Sequence, residues 1–188
     1  MITMLSKFSK TVLVLTIAGG IVGCSSTAEK VQDKPKAEPK VEQKSEPVVD
    51  MQAVQKHRAV NYLNAVSNAT TNSGKVTPNI SALFKKASMH PQLLANPDWK
   101  SDLTKEYDKI EADYNTVKNY KDVPEQYQNT HNLLLQGYDY FMQSKVKIME
   151  AVDEMNADKM QEGLDLIGKS TEFIVKSNEE LVKVPVQK

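Results

Sequence analysis

The residues that could do chemistry in this chain are few. Residues 163–170 read GLDLIGKS and match the phosphate-loop spelling GxxxxGK[ST]. A phosphate loop needs a preceding strand and a tight turn whose free backbone N–H groups cradle the anion. Here the preceding ADKMQE is no strand, and a helical apolar stripe runs through the match unbroken, so no nucleotide is expected. Three histidines occur, His57, His90 and His131, none with a second His or Cys at metal-binding spacing. His131 falls on an apolar helical stripe and reads as a packed, hydrogen-bonded core residue. Five acids, Asp102, Glu106, Asp108, Glu111 and Asp113, could pair for acid–base work. Lys105 and Lys109 interleave with them, so they read as a solvated charged face. No catalytic residues, metal site or cofactor are expected, and the chain reads as a non-enzyme.

Aromatic residues are the compositional oddity. Seven tyrosines stand at 62, 107, 114, 120, 127, 138 and 140, with Trp99 the single tryptophan. Tyr138, Tyr140 and Phe141 point to adjacent faces of one helix, so they cannot share one core, and one of them is free for a contact surface. Trp99, His131, Tyr138 and Tyr140 are therefore the candidate ligand or partner contacts.

These residues must be positioned by helices. Met160, Leu164, Ile167, Thr171, Ile174, Asn178 and Leu181 recur at alternating spacings of four and three, a sustained amphipathic stripe. Asn156 is its expected N-cap. Tyr127, His131, Leu134, Tyr138, Met149 and Val152 repeat the pattern behind Asp122-Val-Pro-Glu125, which reads as a cap, a proline and a capping-box acid. Trp99, Leu103, Tyr107, Ile110, Tyr114 and Val117 mark a helix opening at Asn96-Pro97-Asp98. Two shorter helices precede it, separated by a break in residues 70–75 (TTNSGK). Four glycines remain outside the N-terminal segment, too few for a turn-rich β fold. The expectation is all-α: about five amphipathic helices in an antiparallel bundle over residues 51–188.

The charge balance narrows the partners. Lys plus Arg and Asp plus Glu are both 24, so the basic surplus of a nucleic-acid binder is missing. A single cysteine, Cys24, excludes a disulfide framework. Lys7 and Lys10 precede a 12-residue apolar run at 11–22. That is short of the roughly 20 residues a spanning helix needs, and suits a signal-peptide core. The run ends in Ile21-Val22-Gly23-Cys24, which resembles the lipobox of bacterial lipoproteins. The resemblance covers residues 1–24. It implies cleavage of residues 1–23, a diacylglyceryl group on the Cys24 sulfur, and attachment to the outer face of the cell membrane. Two acyl chains give stable anchoring where one gives only marginal binding.

Residues 24–50 read as a lipid-anchored disordered linker. They contain no aromatic residue, Leu, Ile, Phe or Met, and carry Pro35, Pro39 and Pro47. Such a segment cannot offset its ordering entropy by burial. The helix starts at Asn96-Pro97-Asp98-Trp99 and Val123-Pro124 give the whole a look similar to small helical lipoproteins of low-GC Gram-positive bacteria. That likeness assigns no site residues. The expected function is a non-catalytic, extracytoplasmic interaction module that binds an envelope protein or wall component. The alternative is a small-molecule sensor or carrier with a pocket near Trp99, His131 and Tyr138.

Overall fold

The structure is a computed structural model that describes residues 50–185, all of its regular elements helical. The lipobox, Cys24 and all but the last residue of the linker lie outside the described residues. Four α-helices form the bundle: α1 (Met51–Met89), α2 (Pro97–Lys118), α3 (Gln128–Glu154) and α4 (Ala157–Leu181). Short 3-10 turns at Pro91–Ala95 and Glu125–Tyr127 precede α2 and α3. Among the described residues no helix is long and apolar enough to cross a membrane.

The count is four rather than five because the two expected N-terminal helices are one helix of 39 residues. Residues 70–75 do not break it, and Pro78 sits inside it. Proline removes the hydrogen bond to the carbonyl four residues back. Around this point hydroxyls take up neighbouring carbonyls: Thr77 Oγ1 donates to Ser73 O at 2.9 Å and Ser81 Oγ to Thr77 O at 3.1 Å. Ser73, Val76, Thr77 and Ile80 are all buried. Tertiary burial therefore holds a segment that local propensity would let go.

Other starts follow the sequence more closely. Asp50 caps α1, its Oδ1 accepting from the N–H groups of Gln52 and Ala53 at 3.0 and 3.2 Å. Asn96 Oδ1 accepts from Asp98 N at 2.8 Å, with Pro97 in the first turn of α2. Asn156 Oδ1 accepts from Asp158 N and Lys159 N at 3.0 and 3.1 Å. The expected capping box at Asp122–Glu125 is not formed. Asp122 instead pairs with Arg58 of α1, at 2.9 Å to Nε, and α3 begins only at Gln128. Met155 joins α3 to α4 in the left-handed region, at φ 52. The Asn156 N–H reaches back to Ala151 O at 2.9 Å, closing a Schellman-type end.

Each helix runs antiparallel to its predecessor. Tyr62, Val66, Ile80, Leu103, Tyr107, Ile110, Leu134, Tyr138 and Phe141 belong to one buried core to which α1, α2 and α3 all contribute. The α4 backbone lies against α3 and hardly approaches α1 or α2.

The α3–α4 contact is made by small residues. Thr130, Gly137, Ser144 and Ala151 stand seven apart on α3 and are buried. Gly163, Ser170 and Ser177 do the same on α4. Ser177 Oγ donates to Thr130 O at 2.9 Å across the interface. A Cβ on Gly137 would meet Ile174 Cγ1 at 2.8 Å and Ser170 O at 3.2 Å. One on Gly163 would meet Ile148 Cγ1 at 2.5 Å. The apolar stripe read from the sequence is thus the flank of this contact. Met160 is buried, but Leu164, Ile167 and Ile174 are half-buried.

Candidate functional site

The four candidate contact residues do not meet in one place. Trp99 lies at the foot of the bundle, 5% exposed, its ring edge-on to Phe84 at 6.1 Å. Its Nε1 donates to Leu83 O at 3.1 Å. Lys100 pairs with Asp153, so this level lies 22 residues along α3 from His131. At 1.5 Å per residue the separation is about 33 Å.

His131 belongs to an aromatic cluster at the head. Its ring packs against Tyr62 at 5.7 Å, and Tyr62 is also stacked on Tyr127 at 5.3 Å and edge-on to Tyr120 at 5.4 Å. The imidazole is packed as expected, but its Nδ1 is buried without a hydrogen-bond partner. Burial holds its pKa below the ordinary value, which keeps it neutral. Burial also raises the Tyr62 hydroxyl, with Tyr120 and Tyr127 adding to the effect.

Tyr138 sits midway, 2% exposed. Its hydroxyl lies 3.1 Å from Ser73 Oγ, which donates to Asp113 Oδ2 at 2.9 Å. Burial pushes the phenol up to about 12 despite the Ser73 hydrogen bond. Asp113 therefore departs from the solvated acidic face: it is buried and, accepting from Asn72 and Ser73, ties α2 to α1. Burial raises its pKa, while Ser73 and Asn72 pull it back. Of the other four acids, Asp102, Asp108 and Glu111 face outward, while Glu106 is largely covered and accepts from Asn79 Nδ2 of α1 at 3.0 Å. Asp102 pairs with Lys105, Glu106 with Lys109, and Lys145 reaches both Asp108 and Glu111 at 2.8 and 2.7 Å.

Tyr140 is the candidate that stays half-exposed. It stacks on Phe173 of α4 at 5.4 Å and 29°. Lys169 Nζ stands 5.8 Å from the Tyr140 ring centre and Lys176 Nζ 5.1 Å from that of Phe173. Leu133 and Leu166 each lie seven residues before one of this pair and are also half-buried. All four are separate from the buried core and its packed flank. They form a second apolar stripe on the outer seam of α3 and α4. The seven-residue spacings Leu133–Tyr140 and Leu166–Phe173 were the available signal, overshadowed by the stronger stripe through Leu164 and Ile174.

The residues spelled like a phosphate loop are interior to α4, where their backbone belongs to a continuous helix. Gly163 is pressed against Ile148, while Gly168 faces open space. Among the described residues no three His, Cys, Asp or Glu side chains come together to hold a metal. No family model matches the chain, and no match was found among curated proteins or solved structures.

Proposed function

We propose that this chain is a lipid-anchored, extracytoplasmic helical module that binds an envelope protein or wall component and is not a catalyst. The observation that carries the reading is the outer seam of α3 and α4. Leu133, Tyr140, Leu166 and Phe173 form a half-buried aromatic and aliphatic stripe outside the core. Lys169 and Lys176 flank it over the ring faces. Aromatic anchors with a polar rim are the composition of protein contact surfaces. The lipobox-like residues 21–24 supply the address, with Cys24 the acylated residue. The linker gives reach: at ~3.1 Å per residue, its extended length is about 80 Å. The small-molecule reading is less well supported, because Trp99 and His131 are too far apart to line one pocket.

The test uses a photoreactive amino acid in intact cells, placed at Tyr140 or, as control, at the exposed Asn64 of α1. The module reading expects a defined adduct from position 140, absent at 64 and lost on Phe173→Ala. Equal adducts from both positions would remove the seam from consideration. Labelling with a palmitate analogue tests the anchor: incorporation should vanish in Cys24→Ala.

A further inference from the structure

The first two turns of α1 stand clear of the bundle. Every residue from Met51 to His57 is exposed, and Arg58 is the first in the described chain whose side chain bonds to another segment, at Asp122. At 1.5 Å per residue this overhang is about 10 Å long. A helix end without tertiary packing is marginal. This one is nevertheless capped, with Asp50 Oδ1 accepting from Gln52 N and Ala53 N. Met51 and Val54 are 64% and 41% exposed, and their spacing of three puts them on one face. Gln52, Lys56 and His57 fall on other faces. Val182, 82% exposed, lies at the same end, where Ser177 of α4 bonds to Thr130. Exposure alone does not single out this end, because Met89 at the foot is 58% exposed. The tether does. The chain enters the bundle at Asp50, and the composition of residues 24–50 predicts a coil spanning about 30 Å. The 39 residues of α1 put the foot about 60 Å further away.

We infer that the overhanging start of α1 docks on a lipid surface, with Met51 and Val54 entering the boundary between headgroups and acyl chains. The inference rests on the anchored reading proposed above. The dimensions agree: interfacial helices bury their apolar face to about 5–10 Å, which is the length of the overhang. Lys56 has a stem long enough to keep its ammonium group at the lipid phosphates while the overhang sinks. Two apolar side chains bind a membrane weakly by themselves. Attachment at Cys24 makes the contact intramolecular, at an effective concentration on the order of mM, so a weak contact is sufficient. The bundle then stands on its head. The seam of Tyr140 and Phe173 runs along its side, clear of the lipid and open to a partner.

The test couples residues 24–188 through the Cys24 thiol to a maleimide phospholipid in vesicles of phosphatidylcholine and phosphatidylglycerol. Attachment is then independent of acylation in cells. Failure of the anchor shows as lost palmitate labelling, and failure of the docking shows in the vesicles. Bromine on the acyl chains quenches tryptophan only at contact. Met51→Trp should lose much of its added emission in brominated vesicles compared with plain ones. Met89→Trp, at a similarly bare position on the foot, should lose none, and Trp99 gives the background common to both. Val54→Asp in the Met51→Trp chain should restore the emission. The melting temperature should stay unchanged, because both positions lie outside the packed core. An unquenched Met51→Trp, equal quenching at 51 and 89, or quenching that Val54→Asp leaves intact would overturn the docking. So would a change at 51 that needs no bromine and grows with protein density, which would assign the overhang to a second copy of the chain.

Discussion

The two hairpins of this bundle solve the same packing problem in opposite ways. α1 and α2 meet α3 through large rings: Tyr62, Tyr107, Tyr114, Tyr127 and Tyr138 all lie on that side, and Tyr107 packs on Phe141 at 5.2 Å. α4 meets α3 through side chains that are nearly absent, Gly163, Ser170 and Ser177 against Thr130, Gly137, Ser144 and Ala151. The first contact gains stability from area and tolerates polar atoms, as in the chain from Tyr138 through Ser73 to Asp113. The second gains it from close backbone approach and has no slack for one added carbon. Large rings space helices apart and leave gaps that polar groups occupy, as Ser73 and Asp113 do beside Tyr138. Small residues remove the gaps and push the remaining aromatics, Tyr140 and Phe173, out to the surface.

The largest expected effect is on the ring side. Tyr107 is fully buried, so Tyr107→Ala should cost about 3–5 kcal/mol, typical of truncating a buried aromatic. For a domain of this size that lowers the melting temperature by roughly 10–20 °C. Circular dichroism and Trp99 fluorescence should report one coincident transition. If helicity survived the Trp99 transition, α3 and α4 would be a separate folding unit and the two contacts would not be parts of one core.

Next comes the glycine pair on α4. Gly163→Ala places a Cβ 2.5 Å from Ile148 Cγ1 and 3.3 Å from Ile148 N. Neither atom is the loose end of a flexible chain, so the helices must spread, at about 1–3 kcal/mol. That exceeds the gain of about 1 kcal/mol that alanine brings to a helix interior. Gly168→Ala meets nothing within 4 Å and should stabilise by roughly that propensity term. Urea unfolding of both variants reads the difference in sign. Two stabilised variants would mean that α3 and α4 are not closely packed.

What the sequence disclosed, and what it hid, follows the same division. The helical period, the Asn96 and Asn156 caps and the antiparallel order were legible because each is set within a few residues. Residues 70–75 looked like a break because local signals cannot weigh the burial of Ser73, Val76 and Ile80. The Asp122 cap was misread because its carboxylate is claimed by Arg58, 64 residues earlier. The small-residue repeat Gly163–Ser170–Ser177 was in plain view, but hydrophobic periodicity does not score residues that have little side chain. Asp113 was hidden among acids of identical type. Only the neighbouring helices decide that it faces inward while Asp108 and Glu111 face Lys145.

Asp113 gives the smallest and most specific prediction. Burial raises its folded pKa above the unfolded value of about 3.9, against the pull of Ser73 and Asn72. The folded state therefore binds this proton more tightly than the unfolded state does. Below the unfolded value both states are protonated and the penalty is absent. Stability is lost as pH rises through the window up to the raised folded value, and the loss is constant above it. Asp113→Asn keeps an oxygen to accept from Ser73 and carries no charge to desolvate. At pH 7 it should be more stable than the parent by less than about 1 kcal/mol, and the gain should fade towards pH 3. His131 titrates the other way: burial lowers its pKa, so its contribution is lost as pH falls through about 6.5. Subtracting the parent pH profile from that of Asp113→Asn removes the histidine limb common to both. A difference that grew towards low pH would show the carboxylate favourably paired when charged. The ring side of the bundle would then hold its polar chain as a stabilising contact rather than tolerate it as a gap.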